Sequence, residues 1–106
     1  MTQIDRNALK KMMDENVATV VDVLDTSSYE KFPIPTAINV PLDSDFDERI
    51  VDALPDKDHP VVLYCMDEDC PASSKAEKRM EALGYTRVYH YKGGKTEWKQ
   101  SGLPVQ

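Results

Sequence analysis

Three short runs dominate what this chain can fold into: Val17 to Leu24 (VATVVDVL), Pro60 to Cys65 (PVVLYC) and Arg87 to Tyr91 (RVYHY). The first two are β-branched and apolar with hardly a break. A strand with one wet face alternates in polarity, so continuous apolar runs imply strands covered on both faces, as in a parallel sheet. Ala37 to Leu42 reads as a further short strand.

Helical spacing fills the gaps. Ile4, Ala8, Leu9, Met12 and Met13 share a helix face that Thr2 or Asp5 can cap. Ser27 and Glu30 have capping-box spacing for a short helix ending near Phe32, where Pro33 and Pro35 stop it. Phe46, Ile50 and Leu54 line a helix from about Asp43 to Leu54. Ala72, Ala76, Met80 and Leu83 line another, and Gly84 suits its left-handed end. Gly93-Gly94 breaks the chain before a last helical turn that carries Trp98. Strands separated by helices give an α/β fold: a central, mostly parallel sheet with helices on both faces.

At 106 residues the chain is read as one domain, 1–106. Lys plus Arg is 13 and Asp plus Glu is 19, so 13 − 19 = −6. That charge argues against nucleic-acid and anionic-membrane partners. No apolar signal core or transmembrane run appears, so the expectation is a cytoplasmic protein.

In open parallel sheets ligands bind beyond the carboxyl ends of the strands. Cys65 ends the second run, and Met66-Asp67-Glu68-Asp69-Cys70-Pro71 must turn from there into a helix. Such a turn can aim backbone amides inward, and the helix start adds partial positive charge; both favour a thiolate. Position alone leaves Cys65 equally open to a packing role as a small buried hydrophobe.

Several motifs resemble the rhodanese family along nearly the whole chain. VDVLDTSSYEKFPIPTAINVP matches one signature through Asp22, Tyr29, Ile34, Pro35, Ala37, Asn39 and Pro41. VVLYC matches the strand ending in Tyr-Cys, and GGKTEW followed by SGLP matches the C-terminal signature. The resemblance implies a single-domain, three-layer rhodanese-like fold. It also implies a sulfurtransferase or sulfane-sulfur carrier with a persulfide on Cys65, passing sulfur to a thiol or cyanide acceptor. Met66, Asp67, Glu68, Asp69, Cys70 and Ser73 would form the binding loop. No cofactor is implied, and the partner would be a small sulfur donor or a persulfide-bearing protein; the oligomeric state is open.

The chain departs from the usual pattern. Leu24 replaces an arginine, Phe32-Pro33 replaces Gly-His, and Thr36 replaces a glycine. The loop appears about two residues longer and holds no Arg or Lys before Lys75. It resembles a subgroup reading Tyr-Cys, polar residues, Cys, two residues and Ser, which Cys65, Cys70 and Ser73 fill. Thiosulfate is therefore expected to be a poor substrate. The alternatives are a non-catalytic interaction module and a Cys65–Cys70 redox pair.

Cys70 could resolve a persulfide, bind sulfur or pack at the helix start, and packing is the reading favoured. Ser73 is expected to cap the helix. Asp67, Glu68 and Asp69 either face the site or form a solvated rim. His59 and Cys65 lie at opposite ends of one strand, about 20 Å apart at 3.3 Å per residue, so a metal site is not expected. His90 and Trp98 read as structural. Asp22 reads as a loop-ordering hydrogen-bond acceptor, and Lys92 and Lys95 as solvated lysines.

Overall fold

The computed structural model describes residues 2–105. Five parallel strands, β1 (Thr2–Ile4), β2 (Thr19–Asp22), β3 (Ile38–Asn39), β4 (Val61–Tyr64) and β5 (Val88–Tyr91), form one sheet in the order β1-β5-β4-β2-β3. The helices are α1 (Arg6–Asp14), α2 (Thr26–Tyr29), α3 (Phe46–Ala53), α4 (Ala72–Ala82) and α5 (Gly94–Gln100). The α/β architecture expected from the sequence is the one observed.

Alternation along the strands divides the core. Val21, Leu63, Cys65 and Val88 pack with Phe46 and Ile50 of α3 and Ala76 and Met80 of α4. Val20, Val62, Tyr64 and Tyr91 pack on the other face with Leu9 of α1 and Trp98 of α5. Every residue of β4 is buried, as its unbroken apolar run requires.

Local chemistry sets the element ends. The Asp5 side chain accepts from the Ala8 amide at 2.8 Å and starts α1. Asp25, rather than Ser27, caps α2: its carboxylate accepts from the Ser28 amide at 2.8 Å, while Ser27 lies inside the helix and donates to the same oxygen. A carboxylate two residues earlier outcompetes the Ser27–Glu30 box. The edge strand β1 was not anticipated. Three residues, two of them exposed, carry no periodic signal.

Two strained positions bracket Pro33-Ile34-Pro35: Phe32 at φ 37° and Thr36 at φ 69°. Left-handed backbone disfavours a β-branched residue. Thr36→Gly is therefore expected to stabilise the protein by about 1 kcal/mol, the strain relieved exceeding the added unfolded-chain entropy. Thermal unfolding would show a Tm rise of about 4–8 °C; an unchanged or lower Tm would mean that the site carries no releasable strain.

Candidate functional site: a cysteine pair at the carboxyl end of the sheet

Strand β4 delivers Cys65 to the carboxyl edge of the sheet, where it is 1% exposed. The chain then reverses over Met66–Pro71 and enters α4. Asp67 folds the reversal: its carboxylate accepts from the Asp69 amide at 3.0 Å, and its carbonyl accepts from the Cys70 amide at 3.2 Å. This brings the α-carbons of Cys65 and Cys70 to 6.2 Å, and the two sulfurs form a disulfide. The separation lies in the ordinary range for such a bond.

The disulfide corrects the sequence reading of the site. A persulfide-forming sulfurtransferase needs a free thiolate at Cys65, and that sulfur is already bonded. The nucleophile and enzyme assignments drawn from the resemblance are overturned on this ground. Cys70 packs against the core face, the role favoured for it, and is in addition the partner in the bond.

The loop starts in a fixed seat. The Lys95 amide donates to the Cys65 carbonyl at 3.1 Å, and the Thr96 amide donates to the Met66 carbonyl at 2.9 Å. Gly94 permits this approach. At φ +72°, a Cβ there would sit 2.7 Å from the Met66 carbonyl atoms and the Asp67 nitrogen.

Asp67, Glu68 and Asp69 line a groove of about 290 Å³ against Gly93, Thr96, Glu97 and Gln100 of the α5 region. The acidic loop thus faces a groove that contains no basic side chain. The subgroup assignment rests on the cysteine and serine spacing alone.

Ser73 does not cap α4. It is 1% exposed, and its hydroxyl lies 2.6 Å from His90 Nε2, on the same sheet face as Cys65. Burial holds His90 below its usual pKa, with Lys92 adding to the effect. The cap position of α4 falls to Pro71, which has no capping side chain.

Beneath the loop lies a polar cluster in which the sequence reading of Lys95 is wrong. Lys95 is fully buried, donates to the Ser28 carbonyl and, at 2.7 Å, to the Lys31 carbonyl, and has its ammonium 4.9 Å from the Phe32 ring centre. Burial pulls its ammonium below the usual range, while the Asp22 carboxylate opposes this. Asp22 is also fully buried. Its Oδ1 accepts from the Leu24 amide at 2.8 Å, the loop-ordering role expected, and its Oδ2 has no protein partner. Burial raises the Asp22 carboxyl, against the pull of the Leu24 amide, the Tyr64 hydroxyl and Lys95. The signal for Lys95 was present in the sequence: it stands three residues before Trp98, on the same buried helix face.

His59 lies within 3.0 Å of Thr19 Oγ1 and away from the cysteines. Among the described residues no group of three or more His, Cys, Asp or Glu could hold a metal ion. Nor is any helix among them long and apolar enough to cross a membrane.

The open five-stranded parallel sheet with helices on both faces sets the class as an α/β domain. Residues 5–101 match the rhodanese-like domain model, and the chain belongs to that family. It is similar to the tRNA uridine(34) hydroxylase of Erwinia tasmaniensis, 34% identical over 90% of this chain and 29% of that protein. It is also similar to the HTH-type transcriptional regulator Rv0324 of Mycobacterium tuberculosis, 30% identical over 96% of this chain and 43% of that protein. The chain therefore spans less than half the length of either relative. Among solved structures, the rhodanese-like domain of Anabaena sp. Alr3790 superposes with a TM-score of 0.85 at 27% identity, covering 100% of this chain and 79% of that one. An E. coli rhodanese with anions gives a TM-score of 0.68 at 31% identity, covering 84% and 96%.

Proposed function

We propose that this domain is a dithiol–disulfide exchange module working through Cys65 and Cys70. The observation that carries the reading is the disulfide itself, set at the carboxyl edge where ligands meet open parallel sheets.

The two sulfurs differ in access. Cys65 is buried, whereas Cys70 is half-buried and directly precedes the cap of α4, whose positive end stabilises a thiolate. Reduction proceeds when a thiolate of a partner dithiol attacks Cys70 Sγ. The S–S bond breaks, its electron pair passes to Cys65 Sγ, and that sulfur takes a proton from solvent. The partner's second thiolate then attacks the mixed disulfide and expels Cys70. Two electrons have passed to the domain, Cys70 leaving as its thiolate and Cys65 holding the one proton taken from solvent, and the partner leaves as a disulfide. Oxidation is the reverse.

Brief alkylation of the reduced protein with iodoacetamide, followed by peptide mass mapping, tests the order. Cys70 is expected to be labelled at least about tenfold faster, as the more accessible of the two thiols. Preferential labelling of Cys65 would overturn the assignment.

The acidic groove adds a charge effect. Neutralising Asp67, Glu68 and Asp69 to the amides is expected to speed reduction by anionic glutathione about tenfold at low ionic strength, the equivalent of about 1.4 kcal/mol of repulsion. Dithiothreitol, whose thiolate bears a smaller charge, should respond much less, and salt should shrink the difference. Equal responses to both reductants would show that the carboxylates do not act on the incoming thiol.

A further inference from the structure

The two halves of the disulfide loop are held very differently. On the Cys65 side, two backbone hydrogen bonds fasten the carbonyls of Cys65 and Met66 to the first turn of α5. That turn is itself anchored, because the Lys95 side chain reaches the carbonyls of Ser28 and Lys31. On the Cys70 side, the hydrogen bonds of residues 67–70 among the described residues stay within the loop. Apart from the chain itself, the disulfide is the one covalent tie between the two halves, and Cys70 is otherwise held only by its packing against the core face.

Building on the redox reading above, we infer that Gly94 and the amides of Lys95 and Thr96 form a permanent seat for Cys65, so that the pair opens and closes by movement of residues 67–70 alone. Gly94 is then a positioning residue. Its missing side chain lets the Met66–Asp67 peptide lie on α5, which keeps Cys65 aimed at the place to which Cys70 returns. A seat of this kind raises the effective concentration of one thiol at the other, and so sets how readily the disulfide closes.

Two neighbouring glycines make the test. A Cβ at Gly94 meets backbone and requires a left-handed residue, whereas a Cβ at Gly93 meets only the carboxylate end of Glu97. In glutathione buffers, Gly94→Ala is expected to weaken disulfide closure about tenfold, about 30 mV for a two-electron couple. Gly93→Ala should stay close to wild type. Equal constants for the two variants would overturn the inference.

Amide hydrogen exchange on the wild-type protein gives an answer even where Gly94→Ala does not fold. The Lys95 and Thr96 amides should remain protected after reduction, while the Cys70 amide loses protection. Loss at all three sites would show that the seat dissolves with the bond and would overturn the inference. If the wild-type pair does not equilibrate with glutathione at all, the redox reading falls, while amide exchange still reports on the seat.

Discussion

Replacing Cys70 by serine is expected to abolish disulfide exchange while leaving the domain folded. With Cys70 gone, Cys65 has no second thiol to pair with, and two-electron exchange inside the domain becomes impossible. The structural cost is modest. The bond closes a loop of only five residues' separation, for which the chain-entropy argument gives about 2 kcal/mol. Small domains have about 5–15 kcal/mol in hand. Far-ultraviolet circular dichroism should therefore be retained, and disulfide formation with oxidised glutathione should stop at a single mixed disulfide on Cys65. Continued two-electron turnover by the variant would mean that the chemistry lies elsewhere.

Lys95→Met is expected to be the most destabilising single change outside the apolar core. It leaves the Ser28 and Lys31 carbonyls without their donor and removes the cation that opposes the burial of Asp22. Breaking a buried charge arrangement by deleting one partner costs about 3–5 kcal/mol. The pH dependence follows from Asp22. Its folded pKa lies above the unfolded 3.8, so the native state binds more protons in that window and burial costs stability as pH rises through it. Without Lys95 the Asp22 carboxyl should rise further. The gap in stability between wild type and variant should thus be smaller in acid, where Asp22 is protonated in both, and widen towards neutrality. Urea unfolding at several pH values measures this; a gap independent of pH would show that the Lys95 charge does not act on Asp22.

The parts of the fold that the sequence disclosed are those with repeated local signals. Val61–Tyr64 is apolar at every position because both faces are covered, and Phe46, Ile50 and Leu54 repeat at helical spacing because one face is. Gly84 was legible because its position demands positive φ, and it adopts 97°. Thr2–Ile4 was not, because a three-residue edge strand depends on its partner β5 rather than on its own pattern. For Lys95 the spacing from Trp98 marked the buried face, but the carbonyls that satisfy its ammonium there lie more than sixty residues away in sequence, so it was read as solvated.

The cysteine pair shows a different limit. The placement of Cys65 after the best strand was readable, and so was its neighbour Cys70. Their bond depends on how Asp67 turns the loop, which no spacing rule fixes. The resemblance set a persulfide on Cys65 ahead of the Cys65–Cys70 redox pair, which stood among the alternatives, and the geometry reverses that order.

The most direct test of the central claim is a redox titration of the wild-type protein in defined glutathione buffers, quenched by acid and read by intact mass. The account expects two species differing by about 2 Da, the hydrogens lost when a disulfide forms, interconverting reversibly with a two-electron dependence. Reduced protein that fails to close the bond in any buffer, or that instead gains a sulfur atom on Cys65 from thiosulfate and passes it on catalytically, would contradict it.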